Sequence, residues 1–203
     1  PAIENSSQPD AYRLISSISR RRNCPAPGHV DWAAMTIRPI RIFGDPILNT
    51  QASHIELFDA ALIRLVHDML ETMDDAGGVG LAANQIGLAK RVFVYDCDGM
   101  RGALINPEWE PVDDMIQIGP EGCLSIPDLQ ADVARHETVV ARGANEFGRP
   151  VALRASGLLA RCIQHETDHL DGVLFLRRLD PEVRKEAMQM IRGMDWYTGQ
   201  QNA

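Results

Sequence analysis

Residues 161–172 read RCIQHETDHLDG, and the fold and chemistry of the chain are interpreted outward from this stretch. His165 and His169 stand four positions apart, so on a helix their side chains lie one above the other and can hold one ion between them. Glu166 follows the first histidine and can reach a water molecule on that ion without ligating it, as in the HExxH signature. The stretch therefore predicts a helix that carries half of a metal site.

Asp168 belongs to the same predicted helix, and two interpretations of it stay open. Its carboxylate can accept a hydrogen bond from one of the two histidines and so orient that ring from outside the ligand shell. It can equally be a solvated charge on the helix surface.

A site of this kind needs a third protein ligand, with one position left open. The pattern HExxHxxGxxH would place a third histidine at position 175, and this is excluded because the residue there is Phe175. A glutamate from a later helix would be Glu182 or Glu186. A thiolate from Cys123, within GPEGCLSIP at 119–127, would make a Cys-His-His site suited to Zn²⁺ or Fe²⁺.

Composition limits the class of protein. The chain has 203 residues, 45% of them hydrophobic, which predicts one domain with one core. A net charge of −8 argues against a general nucleic-acid binder, and no apolar run has the roughly 18 residues that a membrane span needs. Four widely spaced cysteines favour reduced thiols in a cytoplasmic protein over a disulfide framework.

Residues 1–34 differ from the rest, with several serines and prolines and the run Arg20-Arg21-Arg22. We expect a flexible N-terminal extension here, or sequence upstream of a start at Met35, and organelle import through this segment stays open. Residues 35–203 are expected to form a single catalytic domain.

Hydrophobic periodicity predicts the main elements. Apolar residues recur at helical spacing over 55–73, with Ser53 as a candidate cap. Ser156 can cap a second helix that ends before Gly172, and Asp180-Pro181 opens a third that runs to about residue 194. Short strands are predicted at 91–96, 103–106, 115–118, 137–142 and 150–153, the last two joined by a hairpin turn at 145–149. Short strands around one central helix indicate an α+β fold.

Three stretches together resemble the signature motifs of peptide deformylases: GVGLAANQ at 78–85, EGCLS at 121–125 and QHETDH at 164–169. They occur in the order found in that family, and the similarity runs from about residue 35 to residue 179. The resemblance implies antiparallel β-sheets packed around a central HExxH helix, with an amphipathic helix N-terminal to it and a helix at the C-terminus.

The resemblance also implies a metal site. Its ligands would be Cys123, His165 and His169, and Glu166 would be the general acid and base. The family implies one divalent cation, usually Fe²⁺, which Zn²⁺, Ni²⁺ or Co²⁺ can replace.

Further site residues follow from the resemblance. The side chain of Gln85 and the backbone N–H of Leu124 would donate to the developing oxyanion. Residues expected to line the substrate site are Val79, Gly80, Gly122, Leu158 and Cys162. Many members have an arginine where this chain has Gln130, which leaves the affinity for the downstream peptide undetermined.

The implied activity is hydrolysis of the N-formyl group on the N-terminal formylmethionine of new polypeptides, with release of formate. The implied partners are formylmethionyl peptides and nascent chains, with transient ribosome association through the C-terminal helix, and neither nucleic acid nor membrane is expected to bind directly. Two alternatives remain, a HExxH metallopeptidase with a downstream glutamate ligand and a non-catalytic deformylase-like metal protein.

Overall fold

The structure, a computed structural model, describes residues 36–201. The flexible extension expected over 1–34 lies outside the described residues. No helix within 36–201 combines the length and apolar character needed to cross a membrane.

In the described part of the chain one α-helix precedes seven consecutive strands, and three α-helices follow them. The α-helices are α1 (Ala60–Asp75), α2 (Gly157–Leu170), α3 (Pro181–Arg192) and α4 (Asp195–Gln201). The strands are β1 (Gly80–Ala82), β2 (Val92–Cys97), β3 (Met100–Pro111), β4 (Ile116–Cys123), β5 (Ile126–His136), β6 (Thr138–Ala144) and β7 (Pro150–Ser156). Short 3₁₀ turns occupy Pro46–Asn49, Ala83–Ile86 and Phe175–Arg178.

The strands form two antiparallel sheets. The larger has five strands in the order β1-β2-β3-β6-β7, and the smaller is the hairpin of β4 and β5. The turn between β6 and β7 lies at 145–149, as predicted, with Gly148 at a φ of +74° and its N–H donating to the carbonyl of Asn145. The expected α+β class with antiparallel sheets and a C-terminal helix is confirmed.

Helix α1 begins later than predicted, and the cap assigned to Ser53 is wrong. The side chain of Asp59 caps the helix by accepting the backbone N–H groups of Ala61 and Leu62 at 3.0 and 2.9 Å. Ile55 lies outside the helix because its N–H donates to Asn106 Oδ1 at 2.9 Å. Ser53 pairs with the chain beside β2 instead. Buried residues on one face of α1 then pack on the larger sheet.

Helix α2 carries the HExxH motif, and every residue from Leu159 to Leu170 is buried. Its apolar side chains, including Leu159 and Ile163, pack against the larger sheet. Polar side chains such as Arg161 and Gln164 bond to residues of the hairpin. Ser156 is the N-cap residue as predicted, but its side chain makes no capping bond, and Asp98 Oδ2 accepts the N–H of Leu159 at 3.2 Å.

Strand β5 was not predicted. Its sequence, IPDLQADVARH, interrupts the apolar alternation with a proline and charged residues, and Asp128 adopts a positive φ of 63°. Pairing with β4 supplies the backbone hydrogen bonds that make this segment a strand.

Candidate metal and substrate site

Three segments that are distant in sequence line one cavity of about 760 Å³. Residues 76–80 approach from the end of α1, residues 120–130 from the hairpin, and α2 forms the inner wall. The cavity therefore lies where the three sequence motifs meet.

Cys123, His165 and His169 form a compact donor set. Their candidate ligand atoms all lie within 4.8 Å of one another. The Sγ atom of Cys123 is 3.1 Å from Nε2 of His169, and the two imidazole centroids are 4.9 Å apart. One thiol and two imidazoles at this spacing fit a cation such as Zn²⁺ or Fe²⁺.

The two glutamates considered as third ligands lie elsewhere. Glu182 and Glu186 are exposed on α3, and neither belongs to the group of metal-binding side chains found within residues 36–201. The structure thus brings Cys123 to the histidines and does not bring the glutamates of α3.

Glu121 orients His165 from outside the donor set. Its Oε2 atom lies 2.9 Å from Nδ1 of His165, which leaves Nε2 as the ring nitrogen available to a ligand. Burial acts to raise the pKa of Glu121, but hydrogen bonds from His165 and Arg135 outweigh it and lower the pKa to about 2. Glu121 therefore remains a carboxylate throughout the neutral range.

Two arginines compensate the buried charge of Glu121. Arg135 donates to both of its oxygens, at 2.8 and 3.0 Å, and Arg161 donates to Oε1 at 2.8 Å. Arg135 also donates to Asp168 at 2.6 Å, so one guanidinium joins two carboxylates. This network ties the hairpin to α2.

Both interpretations of Asp168 were wrong. The carboxylate binds Arg135 and Arg178 rather than a histidine, and the residue is only 6% exposed rather than solvated. Glu121 occupies the role that one interpretation gave to Asp168. The sequence analysis did not predict that Glu121 orients His165 or that Arg161 compensates the charge of Glu121, although both residues lie inside the quoted stretches.

The two histidines differ in their surroundings. Burial acts to lower the pKa of His165, but hydrogen bonds to Cys123 and Glu121 outweigh it and raise the pKa well above its ordinary value. Burial and the neighbouring His165 lower the pKa of His169 well below its ordinary value. The backbone carbonyl of His169 accepts a hydrogen bond from Asn84, which anchors the end of α2 to the Ala83–Ile86 turn.

Glu166 is buried and faces the same cavity. It is 4% exposed, and its Oε2 atom has no hydrogen-bond partner among the described residues. Burial raises its pKa to about 7, against the opposing effect of nearby His165. A carboxyl group with this pKa can both accept and return a proton near neutral pH.

Gly80 gives Glu166 its space. A Cβ atom at position 80 would overlap Oε1 of Glu166 and would lie 2.7 Å from Sγ of Cys162. The absence of a side chain at this position therefore lets β1 pass directly against α2.

Gln85 points its amide into the site from the Ala83–Ile86 turn. Its Oε1 accepts the N–H of Ala82 at 2.8 Å, and its Nε2 lies 3.7 Å from Sγ of Cys123 and 3.2 Å from Oγ of Ser125. Leu124 follows the cysteine and lines the same cavity. The predicted oxyanion donors are thus adjacent to the donor set.

The residues predicted to contact substrate all line the cavity. Val79 and Leu158 are each 44% exposed at its mouth, and Cys162 is buried, with its Sγ 3.5 Å from the carbonyl of Val79. Gly80 and Gly122 contribute bare backbone to the wall.

Comparison with known proteins gives a consistent assignment. The family described as polypeptide deformylase matches residues 37–185. The chain belongs to this family. A peptide deformylase 1 of Corynebacterium efficiens is 58% identical over 167 residues, which is 80% of this chain and 99% of that protein. The predicted family and enzyme class are confirmed.

Solved deformylase structures share the fold. The crystal structure of the peptide deformylase from Thermus thermophilus is 42% identical, with a TM-score of 0.73, and the match covers 77% of this chain and 94% of that one. The Synechococcus elongatus deformylase, solved in complex with actinonin, is 40% identical, with a TM-score of 0.71 and coverages of 76% and 89%.

Proposed function

We propose that the chain removes the formyl group from the N-terminal formylmethionine of newly made polypeptides and releases formate. The observation that carries the proposal is the convergence of Cys123, His165 and His169 on one cavity that Glu166 also faces. A nascent polypeptide with a formylated N-terminus is then the substrate class.

We assign Cys123, His165 and His169 as ligands of one divalent cation, with Fe²⁺ as the ion used in the cell and Zn²⁺, Ni²⁺ or Co²⁺ able to replace it. When bound, the cation supplies Lewis acidity, which lowers the pKa of water and polarises the formyl carbonyl. The buried Glu121–His165 hydrogen bond supports the assignment, because it presents the opposite ring nitrogen to the ion.

Glu166 moves the proton in this scheme. It accepts a proton from the attacking water molecule and later delivers it to the leaving amine of methionine. Burial of this carboxyl raises its pKa to about 7 in the metal-free protein, and a raised pKa favours delivery of the proton to the leaving amine.

Gln85 and Leu124 stabilise the charge that develops on the formyl oxygen. The Nε2 group of Gln85 is held toward the site because its Oε1 is fixed by Ala82 N–H. The backbone N–H of Leu124 is the second donor. One such donor typically contributes about 3–4 kcal/mol to the transition state.

The cavity wall positions the peptide. Val79, Gly80 and Gly122 offer backbone groups to an extended substrate, and the two glycines let it approach closely. Leu158 and Cys162 form the wall against the methionine side chain. Gln130 also lines the cavity, and we place it beside the downstream peptide.

We further propose that residues 35–203 are a single catalytic domain built around the HExxH helix, with α1 as the preceding amphipathic helix, and that it works in the cytoplasm. Transient ribosome association through α3 and the residues after it is part of the same proposal. Unchanged pelleting with ribosomes after deletion of residues 181–203 would contradict the proposed association through these residues.

The experiment that tests the function is turnover of formyl-Met-Ala-Ser by protein purified anaerobically, with the metal content read on the same sample. We expect formate release that is lost in Glu166→Ala at full metal content, and that falls on exposure to air if iron is the working ion. Cys123→Ala is expected to lose both metal and activity.

Two outcomes would contradict the assignment. A metal-replete wild-type protein without turnover would favour a non-catalytic metal protein or a different acyl amide as substrate. An active, metal-replete Cys123→Ala would show that the third ligand lies elsewhere.

A further inference from the structure

A second cavity, of about 440 Å³, opens beside the first one. It lies between the hairpin, the Phe175–Arg178 turn and α3, and it shares Leu129 and Gln130 with the wall of the active-site cavity. The two cavities therefore adjoin at these two residues of β5, and the pair of cavities is called the groove.

Strand register gives the length of this groove. The exposed cross-strand pairs run from Gly122 and Gln130 in the first cavity to Ile118 and Ala134 in the second. The four residue steps from Gly122 to Ile118 span about 13 Å at roughly 3.3 Å per residue. An extended tripeptide spans about 10 Å and stays in the first cavity, whereas residues about five to seven of a longer peptide reach the second.

The second cavity exposes large apolar side chains. Ile118 is 75% exposed, Met190 57% and Val183 40%, and all three line it together with the small side chains of Ala134 and Ala187. Grouped exposure of this kind is typical of a surface that binds a partner.

The charge on its walls is negative. Asp132, Asp180 and Glu186 line the cavity, and none of them forms an ion pair with another residue in the described range 36–201. The guanidinium of Arg178, also in the wall, is bound to Asp168 at 2.5 and 3.0 Å, so its charge is already compensated.

We propose that the second cavity binds the nascent polypeptide about five to seven residues downstream of the formylmethionine and favours lysine and arginine there. The long aliphatic stems of these residues can lie on Ile118 and Met190 while their charged ends approach Asp132 and Glu186. The proposal rests on the proposed function, because adjacency to the active-site cavity is what identifies the occupant as substrate.

The test compares three substrates: formyl-Met-Ala-Ser, and two octapeptides that continue it with either lysine or glutamate at positions five to seven. For the unmodified chain we expect kcat/KM to be roughly tenfold higher for the lysine octapeptide than for the glutamate one at low salt, with the ratio shrinking as salt is added. In Asp132→Asn with Glu186→Gln the ratio should fall by roughly two- to threefold for each charge removed, which brings it close to one, with tripeptide turnover unchanged.

Glu182→Gln is the matched control, because Glu182 is an exposed acid on the same helix but does not line the cavity. It should leave the ratio unchanged. Equal kcat/KM for the two octapeptides would overturn the proposal. So would a shift in oligomeric state of the double variant, which would assign the groove to a second copy of the chain.

Failure of the proposed function would give a different result, since the tripeptide itself would not be turned over. Fluorescence anisotropy with the two labelled octapeptides then decides the question by binding alone. Tighter binding of the lysine peptide that weakens in the double variant supports the proposed peptide binding in the second cavity. Equal binding of the two peptides overturns it.

Discussion

Oε2 of Glu121 lies 2.9 Å from Nδ1 of His165, so a carboxylate from the hairpin sets the orientation of a histidine on α2. The same carboxylate is the common partner of Arg135 and Arg161. The metal site and the packing of two separate elements therefore depend on one buried charge.

Glu121→Gln tests this dependence. The NH₂ group of the new amide would face donors from His165 and the arginines, and two buried guanidinium groups would lose their negatively charged partner. We therefore expect the free energy of unfolding to fall by about 3–5 kcal/mol. Metal affinity should fall about 10- to 100-fold because the histidine loses its partner. Denaturant unfolding and competition with a chelator measure the two effects. Glu110→Gln, at a 61%-exposed ion pair with Arg142, is the control and should change neither.

Gly80→Ala should separate catalysis from metal binding. The added methyl would overlap Oε1 of Glu166, so the carboxylate must move, and the three atoms nearest to the methyl belong to Glu166 and Cys162 rather than to the metal ligands. We expect kcat to fall by about 10²–10⁴, the range for loss of a positioned acid or base, with metal content unchanged. Gly119→Ala is the control, because its nearest contact would be 3.5 Å away at Arg161. Full activity of the Gly80→Ala variant would show that close contact with residue 80 does not fix the position of the Glu166 carboxylate.

Gln85→Leu should lower kcat by about 10²–10³ with little change in KM, because the donor acts on charge that exists only in the transition state. Steady-state kinetics on a formylated tripeptide, with metal content measured alongside, provide the test. A variant that loses metal instead, or whose KM alone rises, would assign Gln85 to ligand support or to ground-state binding.

Glu166 should make the stability of the metal-free protein depend on pH. Burial raises its pKa from 4.5 to about 7, so between these values the folded state holds a proton that the unfolded state has released. Its contribution is fully present below pH 4.5 and is lost as pH rises through 7. The change is at most about 3.4 kcal/mol.

The measurement is denaturant unfolding at pH 5 and pH 8 of chelator-treated wild-type protein and Glu166→Gln. The variant cannot release a proton at this position, so it should lose less stability than the wild type over that interval. Parallel pH profiles for the two proteins would mean that Glu166 titrates in the folded state much as it does in the unfolded chain.

The parts of the fold that sequence could predict are those set by local spacing. The four-residue separation of His165 and His169 defines one face of a helix wherever that helix packs, and Asp180-Pro181 starts α3 for local reasons. The start of α1 was wrong because Ile55 is held by Asn106, a partner 51 positions away.

The candidate site likewise has parts that the sequence could predict and parts that it could not. Spacing alone left the third ligand open between Cys123 and the glutamates of α3, and the motif resemblance pointed to the cysteine. The role of Glu121 could not be read from spacing, because it depends on how the hairpin meets α2. Asp168 was misjudged for that reason, since its partners Arg135 and Arg178 come from β5 and from the turn after the helix.

The contact between the hairpin and α2 has a consequence for how heat inactivates the protein. The hairpin pairs with no strand of the larger sheet in the described residues, and polar bonds such as Arg135 to Asp168 and Gln117 to Gly157 join it to the helix. Partial opening along this boundary separates Cys123 from the histidines while the five-stranded sheet stays folded. We therefore expect heating to abolish activity at a lower temperature than the one at which the β-structure is lost.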